Sequence, residues 1–131
     1  MNALPAFDEA QLLDTLQQLD TEQLDALPFG LIGFDATGRI VHYNRFEAQA
    51  TLFEPAQVMG QHVFIELAPC LNNYLVAGRF EDQLQAGQAL DETLPWLLTF
   101  RMRPTPVRLR LLARPGADTR YVLFQRGGSP A

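Results

Sequence analysis

Apolar and arginine side chains alternate in the last third of this chain, on both sides of Pro104. Because successive side chains of a β-strand point to opposite faces, a period of two is typical of a strand that is buried on one face only. We therefore expect half-buried strands in this part of the chain. The apolar members of the pattern are Phe100, Met102, Val107, Leu109 and Leu111, and the charged members are Arg101, Arg103, Arg108 and Arg110.

The two ends of the chain carry opposite charge. Residues 1–35 contain seven acidic residues and no Arg, whereas residues 101–131 contain seven Arg and a single acidic residue, Asp118. The net charge of −5 argues against a general nucleic-acid binder. An arginine face for nucleic acid remains an alternative, but the alternation favours arginines that solvate one face of a strand, near the acidic N-terminal segment.

Composition excludes several classes of site. All ten basic residues are Arg, so a lysine Schiff base with retinal or pyridoxal phosphate is impossible. The single cysteine, Cys70, excludes an intramolecular disulfide and a zinc or iron–sulfur site built from cysteines of one chain, and no metal site is expected. No apolar stretch reaches the length of a membrane span, and the N-terminus lacks a signal-peptide pattern. We expect a soluble cytoplasmic protein with neither a membrane nor a nucleic acid as partner.

The pattern of elements predicts an α+β domain. Apolar positions at 12, 13, 16 and 19 predict a helix, and Asp20 with Gln23 predicts a capped second helix. We expect strands at 29–34 and 39–43 around a turn, short helical pieces to residue 64, a helix over 74–85, and strands at about 92–102, 106–113 and 119–126. Five antiparallel strands with helices on one face resemble a PAS domain. In this interpretation residues 1–28 form an N-terminal helical cap, 29–127 the PAS core with its pocket, and 128–131 a disordered tail.

A small set of residues could carry chemistry. Tyr43, Glu47 and Thr51 are spaced four apart, so a helical conformation would line them along one side. A lone cysteine such as Cys70 is more often a buried small residue than a nucleophile. His42 or His62 could activate its thiol for a cysteine hydrolase, but nothing local supplies an orienting partner or an oxyanion hole, so an enzyme is not expected.

Several segments, taken in order, resemble the photoactive yellow protein family. An Ala-Pro-Cys sequence downstream of a Tyr and a Glu at this spacing is a specific combination. The matching segments are Leu-Asp-Ala-Leu-Pro-Phe-Gly at 24–30, Tyr-Asn-Arg-Phe-Glu at 43–47, Thr51, Gln-Val-Met-Gly at 57–60, Ala-Pro-Cys at 68–70, Gly-Arg-Phe at 78–80 and Met-Arg-Pro-Thr at 102–105.

The resemblance implies a blue-light photoreceptor that holds 4-hydroxycinnamic (p-coumaric) acid as a thioester on Cys70. Tyr43 and Glu47 match the residues that hydrogen-bond the phenolate of this chromophore, and Thr51 matches a hydroxyl that bonds the tyrosine. Met102 matches a residue that assists thermal recovery. The implied protein is a monomer or weak dimer that acts on a downstream signalling protein.

The sequence departs from the family at three pocket positions. Phe53 stands where the family has an Arg that covers the pocket, Phe100 where a Tyr is common, and Val63 where a Phe is usual. The alternative function is a PAS-like small-ligand sensor or dimerisation module without this chromophore, in which Cys70 is a core residue.

A buried phenolate is costly unless hydrogen-bond donors surround it. Tyr43 and a protonated Glu47 can both donate, so we expect the pKa of Glu47 to be raised. After isomerisation by light, Glu47 could pass its proton to the chromophore and become a buried carboxylate without a partner, at a cost of several kcal/mol. We expect the N-terminal helices to loosen as a result.

Overall fold

The computed structural model describes residues 4–98 and 104–126, and five antiparallel strands form one sheet in the order β2-β1-β5-β4-β3. The strands are β1 (Gly30–Phe34), β2 (Ile40–Tyr43), β3 (Leu90–Leu98), β4 (Thr105–Ala113) and β5 (Arg120–Gln125). The helices are α1 (Leu12–Leu16), α2 (Thr21–Asp25), α3 (Arg45–Thr51), α4 (Pro55–Val58), a π-helix (Val63–Leu67), a 3-10 helix (Pro69–Leu71) and α5 (Ala77–Gln85). The predicted fold, a five-stranded antiparallel sheet with helices on one face and an N-terminal helical cap, is confirmed.

Both faces of the sheet are covered, each by a different part of the chain. Alternate strand residues point to opposite faces, so Ile32 and Phe34 of β1 join one apolar cluster while Leu31 joins the other. The first cluster, which we call the pocket-side core, packs the sheet against α4, the π-helix, the 3-10 helix and α5. The second, which we call the cap-side core, packs it against the N-terminal segment. The cap-side core comprises Phe7, Leu12, Leu13, Leu16, Leu24, Leu27, Phe29, Leu31, Leu112, Tyr121 and Leu123.

Local hydrogen bonds explain two of the predicted elements. The Asp20 side chain accepts from the Gln23 backbone N at 2.8 Å, and the Gln23 side chain accepts from the Asp20 N at 2.9 Å, which forms the expected capping box of α2. In the turn between β1 and β2, the Asp35 carboxylate accepts from the backbone N of Thr37 and of Arg39. Gly38 completes this turn with φ +87°, a conformation that favours glycine.

Several elements differ from the sequence-based expectation, among them β3, which begins at Leu90 and not at about residue 92. The helix expected over 74–85 begins only at Ala77, because the Asn73 side chain accepts from the backbone N of Leu75 and Val76 and holds a turn there. The π-helix was not predicted, and Glu54-Pro55 begins a helix of only four residues. Residues 99–103 and 127–131 lie outside the described residues, and with them Phe100, Met102 and the expected tail. Within residues 4–98 and 104–126, no helix combines the length and the apolar character that crossing a membrane requires.

The arginines of β4 hold the acidic N-terminal segment. Arg108 pairs with Asp8 at 3.0 Å, and its guanidinium lies 5.3 Å from the ring centre of Phe7. Arg110, only 7% exposed, donates to the backbone O of Phe7 and of Glu9, both at 2.8 Å. Its other nitrogens donate to Asp91 on β3, at 2.8 and 2.9 Å, while Arg114 pairs with Asp14. These contacts place Arg108 and Arg110 on one face of β4 beside the acidic segment, as expected, but Arg110 is buried there and β4 is buried on both faces from Leu109 to Ala113, so the strand is not half-buried along its length. Arg101 and Arg103 lie outside the described residues.

Arg110 is therefore expected to anchor the cap. Substitution of Arg110 by Gln removes charge-assisted hydrogen bonds from a buried site, and we expect a loss of about 2–3 kcal/mol in the free energy of unfolding. Urea unfolding measures this loss, and amide hydrogen exchange at residues 7–16 should accelerate. Arg79→Gln is the matched control, because it breaks a bidentate pair with Glu92 in which both side chains are more than a third exposed. Equal losses in the two variants would contradict the anchoring role.

Candidate functional site

The Asn44 side chain joins the start of α3 to the sheet and to the cap. Asn44 is 2% exposed and caps α3, and its Oδ1 accepts from the backbone N of Glu47 at 3.1 Å and of Leu31 at 3.0 Å. Its Nδ2 donates to the backbone O of Leu24 at 2.9 Å and of Phe29 at 3.0 Å. The orientation of α3, and hence of Glu47, is fixed by these bonds.

Tyr43 and Thr51 share a short hydrogen bond of 2.5 Å between their hydroxyl groups. The Thr51 hydroxyl also donates to the backbone O of Glu47 at 3.0 Å, so Tyr43 is the donor in the shared bond. Both residues are almost completely buried. Tyr43 is the last residue of β2 and does not lie on a helix with the other two, as the spacing had suggested. It nevertheless reaches them, because β2 leads through Asn44 directly into α3.

Glu47 is fully buried and paired with an arginine. Its carboxylate oxygens accept from Nη1 and Nη2 of Arg126 at 2.5 and 2.8 Å, and the Arg126 side chain is only 14% exposed. Burial raises the pKa of Glu47, while the hydrogen bonds and the charge of Arg126 oppose the rise. The expectation that an ionised Glu47 would lack a partner is wrong, because Arg126 supplies one.

Strand pairing explains how Glu47 and Arg126 meet. Gly30 of β1 lies opposite Phe124 of β5, so Arg126, two residues further along, is on the same face as Phe124 and faces α3. A Cβ atom on Gly30 would collide with Oε1 of Glu47, so the glycine leaves space for the carboxylate. Sequence reasoning missed Arg126 and gave Asn44 no role. Arg126 was one arginine among many, and only the β1–β5 register, which is not local in sequence, singles it out.

Cys70 is a free, half-buried cysteine at the centre of the 3-10 helix. It packs against the pocket-side core, which contains Tyr43 and Val63 among its buried members and Phe53 among its half-buried ones. The structure therefore brings Cys70, Tyr43, Val63 and Phe53 to the same face of the sheet, with Glu47 and Thr51 buried on the adjoining helix α3.

The two histidines that could have activated the Cys70 thiol, His42 and His62, are engaged elsewhere in the fold. Nδ1 of His62 accepts from the backbone N of Phe64 and of Ile65, both at 3.2 Å, which caps the π-helix. His42 is a residue of β2 and lies opposite Gly33 of β1. Burial lowers the pKa of His42. In the part of the chain that the structure describes, no three His, Cys, Asp or Glu side chains cluster in a way that could hold a metal ion.

This chain is similar to known proteins in sequence and in fold. A family model described as the PAS fold matches residues 24–121. The chain is similar to photoactive yellow proteins of Rhodothalassium salexigens (28% identical) and Halochromatium salexigens (27% identical), each over 120 residues that span 92% of this chain and 95% of the relative.

Solved structures agree with the sequence comparison. The photoactive yellow protein domain from the sensor histidine kinase Ppr of Rhodospirillum centenum is 33% identical, with a TM-score of 0.78, and the match covers 86% of this chain and 98% of that domain. The PAS domain of an HTR-like protein from Haloarcula marismortui is 19% identical, with a TM-score of 0.57 and coverage of 87% of this chain and 97% of that domain. The second likeness shows the fold alone.

The raised pKa of Glu47 predicts a pH dependence of stability. A folded state that binds this proton more tightly than the unfolded chain gains stability below the ordinary glutamate pKa. That stability is lost as the pH rises through the raised value, by about 1.4 kcal/mol for each pH unit across the window. Urea unfolding from about pH 4 to 8 measures it. Glu47→Gln lacks the titrating group. Its free energy of unfolding should therefore increase relative to that of the wild-type chain as the pH rises. A trend of opposite sign would contradict the raised pKa.

Proposed function

This chain belongs to the photoactive yellow protein family of PAS-fold domains, and on that premise we propose that it is a blue-light photoreceptor carrying p-coumaric acid as a thioester on Cys70. The observation that carries the proposal is the buried group of Glu47, Tyr43 and Thr51, which borders the same apolar core as the only cysteine of the chain. A carboxyl group with a raised pKa beside buried hydroxyl groups suits a phenol that must be held as phenolate.

Each residue has a role that its chemistry supports. Cys70 would hold the chromophore covalently, while Tyr43 and a protonated Glu47 would donate hydrogen bonds to its phenolate oxygen. For this, the bond between Tyr43 and Thr51 would reverse: Tyr43 would turn its single proton from Thr51 to the phenolate oxygen, and Thr51 would donate to Tyr43 instead of to the backbone O of Glu47. When bound, the chromophore supplies the absorption of light and a double bond that isomerises from trans to cis. Glu47 would then release its proton towards the phenolate oxygen.

The departures from the family shape this site. Phe53 is half-buried against the pocket-side core, so an apolar ring, and not a cation, would cover the pocket at this position. Val63, which is completely buried, leaves more space than a Phe would. Met102 and Phe100 lie outside the described residues, and their roles in recovery and in the pocket stay predictions. The cation next to the Glu47 carboxylate comes instead from Arg126.

Signalling would follow from release of the N-terminal cap to a downstream protein in the cytoplasm. The similar domain of Rhodospirillum centenum is part of a sensor histidine kinase, which supports such a partner. In this proposal the thiol of Cys70 is an attachment point and not the nucleophile of a hydrolase.

Loading with activated p-coumaric acid tests the function. We expect the purified chain to gain the mass of one coumaroyl group and a visible absorption band that bleaches under blue light and returns in darkness. Cys70→Ala should gain neither. Glu47→Gln should keep the pigment with a shifted band, since the amide is a weaker donor. Failure of a folded wild-type chain with an accessible thiol to form the adduct would leave a PAS-like small-ligand sensor or dimerisation module as the function.

Amide hydrogen exchange measures whether light releases the N-terminal cap. In the pigmented protein we expect amide hydrogen exchange at residues 8–28 to accelerate under illumination and to return in darkness, because ionisation of Glu47 alters the contacts of α3 that Asn44 links to the cap. Exchange at β5, at the centre of the sheet, serves as the internal control. Unchanged exchange at residues 8–28 would contradict this signalling route.

A further inference from the structure

Arg126 contacts Glu47, the residue whose proton moves in the proposed photochemistry. Its guanidinium forms a bidentate pair with the fully buried Glu47. We propose that Arg126 is a positioning residue that holds Glu47 as a carboxylate whenever its protonated carboxyl group does not donate to the chromophore phenolate, so that Glu47 exchanges between two partners. This inference rests on the proposed function and deepens it.

The geometry suits an arginine in this role. Two parallel N–H···O bonds match the guanidinium fork to a carboxylate, and such charge-assisted pairs are about twice as strong as neutral hydrogen bonds. The guanidinium carbon lies 5.2 Å from the ring centre of Phe124, so the aromatic face helps to hold the cation. The missing Cβ atom of Gly30 provides the space in which the carboxylate turns towards β5.

The charges around Glu47 leave Arg126 as its counter-ion. Strand β1, which packs against α3, contains only Gly, Leu, Ile and Phe. On β2, the ionisable Tyr43 is bonded to Thr51, and on α2 the Asp25 carboxylate accepts from the backbone N of Arg45. Among the described residues, Arg126 is the charged group whose interaction lowers the pKa of Glu47 against the effect of burial.

Arg126 also lies beside open space into which its guanidinium can move when it releases the Glu47 carboxylate. A surface groove of about 350 Å³ lies beside it, lined by Phe46, Gln49, Ala50 and Arg126 itself. The Arg126 side chain is 14% exposed and lines this groove, so in our proposal water in the groove would solvate the guanidinium when Glu47 is protonated and turned to the chromophore. When Glu47 gives its proton to the phenolate, the carboxylate is left with the Arg126 cation as partner, and the charge is neutralised inside the domain. The pair therefore limits how strongly light loosens the cap.

The first experiment uses the chromophore-free chain. The carboxyl carbon of Glu47, assigned by its absence in Glu47→Gln, is titrated by ¹³C NMR in the wild-type chain, in Arg126→Gln and in Arg126→Lys. We expect the Gln variant to raise the titration midpoint by about 1–3 pH units and the Lys variant to restore most of the wild-type value. Arg79→Gln, which breaks the bidentate Arg79–Glu92 pair, should leave the midpoint unchanged. An unchanged midpoint in Arg126→Gln overturns the proposal.

The second experiment uses the pigmented protein. We expect illumination to accelerate amide exchange at residues 8–28 more in Arg126→Gln than in the wild-type chain, with Arg126→Lys close to wild type, because only the Gln variant leaves the new carboxylate without a cation. Equal acceleration in all three proteins overturns the exchange of partners. A wild-type chain that forms no pigment overturns the proposed function and the exchange with it, whereas the chromophore-free titration still decides whether Arg126 controls Glu47.

Discussion

The four hydrogen bonds of the buried Asn44 side chain hold together the three parts of this molecule. One of them goes to α2, one to the segment that leads from α2 into β1, one to β1 and one to the first turn of α3. Buried polar groups lose free energy when unpaired, so a fully bonded amide at this junction fixes one arrangement of the cap, the sheet and α3. The positions of Glu47 and Thr51 follow from it, because both lie on α3.

The sheet connects two regions that have different chemistry. On its pocket side, helices enclose apolar residues together with a free thiol, a carboxyl group and two hydroxyl groups. On its other side, leucines and phenylalanines pack under the N-terminal segment, and arginines at the rim bind the acids of that segment. Strands β4 and β5 contribute alternate residues to both sides. A change in packing or charge on one side therefore acts on strands that the other side shares.

Much of the fold could be predicted because its signals are local. The alternation in β4, the capping box of α2 and the turn before β2 each depend on residues within a few positions of one another. The start of α5 was predicted three residues too early, since a single side chain, Asn73, competes with the helix for backbone groups. The π-helix has no pattern of this kind.

The candidate site was only partly accessible from the sequence. Glu47, Thr51 and Cys70 stand in motifs that a family resemblance can identify. The Arg126 partner of Glu47 depends on the pairing of β1 with β5 across most of the chain, and a pairing over that distance leaves no trace in the spacing of nearby residues. The need for a glycine at position 30 is likewise visible only in the structure, which places the Glu47 carboxylate where a Cβ atom of residue 30 would lie.

The arginine contacts of the cap differ in how far they are open to solvent, and this gives the cap a response to ionic strength. Arg108, Asp8, Arg114 and Asp14 are each between 41% and 61% exposed, so dissolved salt, with a screening length of about 8 Å at physiological concentration, weakens both of their pairs. Arg110 is buried, and its bonds to backbone oxygens are screened much less. Within residues 4–98 and 104–126, the arginine contacts of the cap thus comprise one salt-resistant anchor and two salt-sensitive pairs, so added salt is expected to loosen the hold of the cap only in part.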